Sequence, residues 1–174
     1  MAFNGSNWIQ NTTSHIPGGA SSCPSVNLCV GVEDNAMYTF NGTSWTGPVV
    51  IDPHIALPAD GLSAVSCPTT TFCAAVDASG NALTYNGHTW TNPVPIDPNN
   101  AGLSLDAISC PTSTFCVAVD QAGNAFTFNG QAWSSASLID PKAGIKGADI
   151  QSVSCPSTTF CVAIDLFGRV MVGK

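Results

Sequence analysis

Apolar residues along this chain occur in short runs separated by turn residues, and the runs recur at a regular spacing. One run ends in an acidic residue four times, as CVGVE, CAAVD, CVAVD and CVAID at 29–33, 73–77, 116–120 and 161–165. A run with alternating polar positions follows, as in NALTYN at 81–86. Short runs bounded by Gly, Asn and Asp predict β-strands, because helices need longer segments with a 3.6-residue period. The pattern therefore predicts an all-β protein.

The strand pattern repeats four times, and a close cysteine pair marks each copy. The pairs occur in CPSVNLC, CPTTTFC, CPTSTFC and CPSTTFC at 23–29, 67–73, 110–116 and 155–161, a period of about 44 residues. Such a period is typical of propeller blades, because one blade cannot bury its own faces and stacks on its neighbours. A β-trefoil would have three repeats. We predict a four-bladed β-propeller with blades at about 18–52, 62–97, 104–140 and 150–174, the last completed by 1–16.

Each blade is predicted to contain four strands, A to D in chain order. In blade 2, A is LSAVSC at 62–67, B is TFCAAVD at 71–77, C is NALTYN at 81–86, and D runs from near Trp90 to 96–98. The Asn-Gly pair after strand C predicts a two-residue type I′ turn. Small strand A residues are expected to fit a narrow ring axis, namely Ser63, Ala64, Ser66, Ala107, Ser109, Ser152 and Ser154.

The chain begins with the element at which its last repeat stops. AFNGSNW at 2–8 matches LTYNGHTW at 83–90, whereas the last copy ends at GRVMVGK. We therefore expect residues 3–16 to supply strand D of blade 4, closing the ring and removing exposed sheet edges. The overlap of the termini favours a self-closed monomer over the alternative, a head-to-tail dimer with eight blades. The first twenty residues lack the basic and apolar regions of a signal peptide, so a leader or upstream region is expected to have been removed, or the start to be engineered.

The aligned repeats, CPxxxFCxAVDxxGNAxTxNGxxW, resemble those of secreted bacterial β-propeller repeat proteins over essentially the whole chain. The Thr-x-Asn-Gly-x-x-Trp segments also resemble a shortened form of the Asp-box hairpin of sialidase-type propellers, from which they lack one residue. The resemblance implies a propeller fold and an extracellular location, and it carries over no activity.

Composition and cysteine content narrow the cellular setting. Charged residues make up 9% of the chain and the net charge is −7, which disfavours nucleic acid as a partner because phosphate binding needs clustered cations. No apolar stretch is long enough to span a membrane. Eight evenly shared cysteines predict four local disulfides in a secreted protein. The pairs are Cys23–Cys29, Cys67–Cys73, Cys110–Cys116 and Cys155–Cys161.

Metal and redox chemistry have little support in the sequence. The cysteine spacing is not that of CxxC motifs, and His15, His54 and His88 do not cluster. No cofactor is expected. An axial cation such as calcium, held by strand A carbonyls, would nevertheless fit so narrow a ring.

Repeated aromatic and acidic residues are the candidate ligand-binding groups. Tryptophans follow each Asn-Gly pair and either pack between blades or stack on sugar faces. Aspartates end strand B and recur in the IDP segments, where they either accept turn amides or bind a ligand. The candidate site residues are Trp8, Trp45, Trp90, Trp133, Asp52, Asp97, Asp140, His54, Asn99 and Asn100. Asp60, Lys142 and Asp149 lie in the same variable connections between strand D and the next strand A, where rigid scaffolds vary their specificity.

Three functions remain to be separated. Repeated shallow sites favour a non-catalytic extracellular module that binds a glycan or cell-surface polymer with avidity. A structural or protein-interaction propeller within a larger secreted protein is the alternative. A glycosidase is disfavoured because the chain has no unrepeated pair of acids. Fully buried tryptophans together with one non-repeating apolar patch would favour the structural or protein-interaction alternative.

Overall fold

The protein folds into four antiparallel sheets and a short N-terminal hairpin. This computed structural model describes residues 2–3, 6, 8–9, 19–53, 61–98, 104–142 and 149–174. The hairpin consists of β1 (Ala2–Phe3) and β2 (Trp8–Ile9). The four sheets are β3 (Ser21–Ser25), β4 (Leu28–Glu33), β5 (Ala36–Phe40), β6 (Trp45–Val50); β7 (Leu62–Thr69), β8 (Phe72–Asp77), β9 (Asn81–Tyr85), β10 (Val94–Pro95); β11 (Leu105–Thr112), β12 (Phe115–Asp120), β13 (Asn124–Phe128), β14 (Ser137–Leu138); and β15 (Ile150–Ser157), β16 (Phe160–Asp165), β17 (Val170–Gly173).

Three of the sheets follow the predicted A-B-C-D order, the fourth contains strands A, B and C among the described residues, and neighbouring strands are antiparallel in all four. We call the sheets blades 1 to 4. Strands A, B and C of blade 2 lie where the sequence predicted them, whereas its strand D is reduced to β10 and a bridge between Tyr85 and Trp90. The all-β prediction and the repeated sheets are therefore confirmed.

The four predicted disulfides are present. In every blade the bond joins strand A to strand B across a tight turn, with Cα atoms 4.0–4.1 Å apart. The described residues contain no free cysteine.

The hydrophobic core lies between the blades. Strand residues alternate in direction, so each sheet has one face toward the preceding blade and one toward the next. In β8, Cys73 and Ala75 pack toward blade 1, whereas Ala74 and Val76 pack toward blade 3. Both faces are covered, and this explains why strand B is a continuous apolar run rather than an alternating one.

Serines of strand A connect neighbouring blades. The Oγ atoms of Ser22, Ser66 and Ser109 accept hydrogen bonds of 2.9–3.0 Å from the backbone N–H groups of Cys67, Cys110 and Cys155 in the following blade. The predicted small side chains of strand A thus have a concrete role for Ser66 and Ser109: a larger residue would separate the strands that these bonds join.

The predicted type I′ turn is wrong. Phe40 pairs with Trp45 across four residues rather than two, and the side-chain oxygen of Asn41 accepts backbone N–H bonds from Thr43 and Ser44. Only the glycine of the Asn-Gly pair has a positive φ, +90° at Gly42. The asparagine acts as a hydrogen-bond acceptor, so it does not need the left-handed conformation that a type I′ turn requires.

The structure does not show the predicted closure of blade 4 by residues 3–16. Among the described residues, its sheet ends at β17, and β1 pairs with β2 through Phe3 opposite Trp8. This is the same local pairing as that of Phe40 with Trp45 in blade 1. A local hairpin closes a very short loop, whereas closing the ring requires the two ends of the chain to meet.

Candidate functional site

Six aspartates gather at one end of the blades. We call this end, where strand B turns into strand C and strand D terminates, the upper face. All six are buried, with exposed fractions between 0% and 8%. They are Asp77, Asp120 and Asp165 at the ends of strand B, and Asp52, Asp97 and Asp140 after strand D.

The strand B aspartates hold the turn that follows them. Oδ1 of Asp77 accepts backbone N–H bonds from Ser79 (2.9 Å) and Asn81 (2.8 Å), and its Oδ2 accepts one from the Asn81 side chain (2.7 Å). Asp120 and Asn124 repeat the arrangement in blade 3. These carboxylates therefore accept hydrogen bonds from turn amides, which is one of the two roles that the sequence suggested for them.

The junction between blades 1 and 2 brings two carboxyl groups together. Burial raises the pKa of Asp77 to about 6; the bonds from Asn81 oppose the rise, and a hydrogen bond and charge repulsion from Asp52 add to it. Two buried carboxyls within hydrogen-bonding distance favour sharing a proton over carrying two negative charges. Asp77 therefore titrates within the mildly acidic range.

In blade 4 an arginine replaces the asparagine that follows the turn after strand B. Arg169 stands where blades 2 and 3 have Asn81 and Asn124; its Nε bonds Asp165, and one of its terminal nitrogens lies 3.1 Å from Oδ2 of Asp140. Burial of Asp165 opposes ionisation, but hydrogen bonds from the Arg169 backbone and guanidinium outweigh it and lower the pKa of Asp165. Arg169 therefore favours the ionised form of Asp165, whereas burial and the neighbouring carboxyl favour the protonated form of Asp77.

Asp52→Asn is expected to stabilise the protein above pH 6 by on the order of 1 kcal/mol. The raised pKa means that folded Asp77 holds its proton between about pH 4 and 6, where the unfolded chain has lost it, so this group's contribution falls as the pH rises through 6. An amide at position 52 removes the repulsion. Urea unfolding at pH 4 and pH 7 measures the effect, which should be smaller at pH 4.

Asp140→Asn is the matched control, because it makes the same chemical change at the arginine-bridged junction. It removes the charge facing Arg169, so it is expected to destabilise the protein by about 1 kcal/mol at pH 7. If both variants stabilise the protein at pH 7, repulsion between Asp52 and Asp77 does not explain the effect of Asp52→Asn.

An apolar turn interrupts the repeat on the upper face of blade 4. The turn between strands B and C is Asp-Ala-Ser-Gly in blade 2 and Asp-Gln-Ala-Gly in blade 3, but Asp-Leu-Phe-Gly in blade 4. Leu166 is 56% exposed and Phe167 66% exposed, and the Arg169 guanidinium lies 5.7 Å from the Phe167 ring centre. The departure from the repeat was visible in the sequence, yet only the structure shows that these two side chains face solvent.

Asp149 lies next to this turn, and Asp106 lies close to Asp149. The backbone N–H of Leu166 bonds the carbonyl of Asp149 (3.1 Å), and Asp106 accepts bonds from the side chains of Gln121 and Gln151. Burial raises the pKa of Asp106 despite the bond from Gln121, and the charges of Asp149 and Asp120 raise it further. We call Leu166, Phe167 and Arg169, with Asp106 and Asp149 beside them, the blade 4 patch.

The described tryptophans pack against neighbouring aromatic rings. Trp45, Trp90 and Trp133 are each half-buried, with ring centres 5.3–5.5 Å from Phe40, Tyr85 and Phe128. The Trp90 indole N–H points at the sulfur of Met37 in blade 1, 2.9 Å away. Trp90 and Trp133 therefore pack at the junctions between blades, whereas Trp45 packs on Phe40 of its own blade. Sugar stacking stays an untested prediction.

Other sequence predictions stay open. His54, Asp60, Asn99, Asn100 and the side chain of Trp8 lie outside the described residues. The part of the chain that the structure describes contains no group of three or more His, Cys, Asp or Glu side chains arranged for a metal, so an axial calcium ion stays a prediction. It also contains no helix able to cross a membrane.

Comparison with solved structures identifies the architecture. The chain resembles YCF48 bound to a D1 peptide (TM-score 0.62, 13% identity, 88% of this chain and 49% of that chain). It also resembles the computationally designed Ika4 protein (0.62, 12%, 93% and 94%) and the WD40 repeats of RRP9 (0.66, 9%, 88% and 48%). No protein-family model and no curated protein matches the sequence.

These likenesses show the fold and nothing finer. The chain spans about half the length of YCF48 and of the RRP9 repeats on which it superposes. WD40 repeats are propeller blades, and the chain has four antiparallel sheets. The protein therefore has a β-propeller repeat fold.

Proposed function

We propose that this chain is a non-catalytic extracellular protein-interaction module that binds a peptide segment through the blade 4 patch. The observation that carries the proposal is the Leu166–Phe167 turn, in which two large apolar side chains are exposed to solvent. Structural turns in blades 2 and 3 have small or polar residues at these positions, so the fold does not require two large apolar side chains there. Exposed apolar groups next to polar ones are typical of binding surfaces.

The chemistry of the patch indicates the partner. Leu166 and Phe167 would cover an apolar side chain, while Asp149 and Asp106 favour a neighbouring cation. A segment with an apolar residue next to lysine or arginine fits both. The net charge of −7 favours the same kind of partner.

Two further observations support the proposal. YCF48, which has a similar fold, has a structure with a bound peptide, so the architecture can present a peptide site. Four disulfides suit an extracellular location. The packed tryptophans favour this function over the glycan-binding one.

The test replaces the apolar turn with one that this protein already uses. The double variant Leu166→Ala, Phe167→Ser recreates the Asp-Ala-Ser-Gly turn of blade 2. Both side chains are largely exposed, so its melting temperature is expected to stay close to that of the wild type. Peptides selected from a random display library on the wild type are expected to bind the variant at least about tenfold more weakly.

The control is Val94→Ser, which removes a similarly exposed apolar side chain from β10 of blade 2 and should leave peptide binding unchanged. Peptides that bind wild type and double variant equally would contradict the proposal. So would a glycan array in which sugars bind both proteins and quench tryptophan emission.

A further inference from the structure

The three junctions between blades use the same two faces. We call the face of a blade toward the preceding blade its leading face, and the opposite one its trailing face. At the junction of blades 2 and 3, Val76 and Ala82 of the trailing face pack with Phe126 and Phe128 of the leading face. At the junction of blades 1 and 2, Val32 and Met37 pack with Leu83 and Trp90 in the same way.

Blade 4 leaves its trailing face uncovered. Ile164, Val170 and Val172 are 42%, 57% and 54% exposed. Ile164 and Val170 correspond to Val76 and Ala82, which are 0% and 1% exposed. Ser154, the counterpart of the junction serines Ser66 and Ser109, is exposed as well. An apolar sheet face that is buried in the other blades therefore meets solvent here.

Blade 1 leaves its leading face uncovered. Cys23 is exposed, whereas its counterparts Cys67, Cys110 and Cys155 are 6–7% exposed. Strand A of each blade lies beside strand A of the next from blade 1 to blade 4, but the described residues show no comparable contact between blades 4 and 1. The two free faces are thus one trailing and one leading face, the combination that pairs at every internal junction, and among the described residues they do not pack on each other.

A cavity lies between blades 3 and 4, where an aromatic pair fills the other junctions. Gly173 occupies the position opposite Cys161 that Tyr85 holds opposite Cys73, so the described strands of blade 4 contain no aromatic pair of the kind that fills the other junctions. The resulting space has a volume of about 620 Å³. Phe115, Val117, Ala125, Ile139 and Met171 are among the residues that line it.

The N-terminal hairpin carries the missing pair. Phe3 opposes Trp8, as Phe40 opposes Trp45 and Phe128 opposes Trp133. In the repeat alignment, Phe3 takes the position of Gly173, so Gly173 and Lys174 must move aside when the hairpin docks. Blade 1 follows the hairpin in sequence. A molecule that inserts Phe3 and Trp8 into the cavity therefore also delivers its leading face to the trailing face of blade 4.

We propose that the occupant is a second copy of this chain, which docks head to tail so that two copies close one eight-bladed ring. The hairpin of each copy completes blade 4 of the other, and Ser154 meets the backbone N–H of the partner's Cys23. The superposition of this chain on about half of YCF48 and of the RRP9 repeats supports the geometry, because its four blades then follow half of a larger ring. Two such junctions related by a twofold axis leave no face free.

Sedimentation equilibrium of the full chain tests the proposal. We expect a mass twice that of the 17.8 kDa chain, falling to one chain on dilution. Ile164→Arg places a charge on the trailing face at an already exposed position and is expected to give the single-chain mass. Val94→Arg changes a similarly exposed residue in blade 2, away from both free faces, and should keep the double mass.

Trp8→Ala is the second variant, because it changes no residue of the four sheets. We expect it to weaken dimerisation roughly tenfold or more, as loss of a buried aromatic anchor does at other interfaces. Circular dichroism and the melting temperature confirm that each variant is folded. A single-chain mass for the wild type at every concentration would overturn the proposal in favour of a self-closed ring, and open-ended assemblies larger than two chains would overturn it as well.

Discussion

Replacing Phe126 with alanine is expected to lower the free energy of unfolding by about 3–5 kcal/mol. Phe126 is fully buried in the junction between blades 2 and 3, where it belongs to the cluster that contains Val76, Ile96 and Leu105. Truncation removes its transfer free energy and leaves a cavity that two rigid sheets cannot collapse to fill. Urea unfolding, with the slope checked for two-state behaviour, measures the loss.

Met171→Ala is the matched control, because Met171 holds the same position in blade 4. It is only partly buried and lines the cavity between blades 3 and 4, so its truncation is expected to cost about 1–2 kcal/mol. Equal losses for the two variants would show that the junctions are not packed as described.

Removing the disulfide of blade 3 by the double substitution Cys110→Ala, Cys116→Ala is expected to lower the free energy of unfolding by about 3–4 kcal/mol. Loss of the short loop constraint accounts for roughly 2 kcal/mol of this figure. The remainder follows from burial, because Cys110 and Cys116 are 7% and 0% exposed within the junction cluster.

The disulfide of blade 1 provides the comparison. Cys23 and Cys29 close a loop of the same length, but Cys23 is exposed and Cys29 half-buried. The double alanine variant at these positions should therefore cost roughly 2 kcal/mol, the constraint alone. A larger loss in blade 1 than in blade 3 would contradict the assignment of the core to the junctions.

Local features of this protein follow from the sequence because short-range physics decides them. The alternation of apolar and turn residues placed strands β7, β8 and β9, and the six-residue spacing of each cysteine pair predicted the disulfides. The prediction of the turn type was wrong for a local reason as well. An asparagine at position 41 can stabilise a turn either by adopting a left-handed backbone conformation or by accepting backbone N–H bonds with its side chain, and it does the latter. A repeat also implies stacking, and stacking of sheets is what a propeller requires.

The candidate site depended on contacts that periodicity does not encode. Asp52 and Asp77 are 25 residues apart, in different blades, and nothing in either repeat position predicts that their carboxyls share a hydrogen bond. Arg169 and the Leu166–Phe167 turn were readable as departures from the repeat, but their meaning required the exposure of those side chains and the position of Asp140. A departure from a repeat can be neutral sequence variation or part of a binding site, and only the structural surroundings of the residue distinguish the two.

The sequence by itself determined the strands, their order within a blade, the disulfides and the fourfold repeat, because each of these is set within about 44 consecutive residues. Only the tertiary structure decided which tryptophans pack, which aspartates meet, and that the described strands of blades 1 and 4 lack the contacts seen at the other junctions. The physical reason is that junctions form between faces of different blades. The angle at which those faces pack is a property of the whole stack, and no single repeat specifies it.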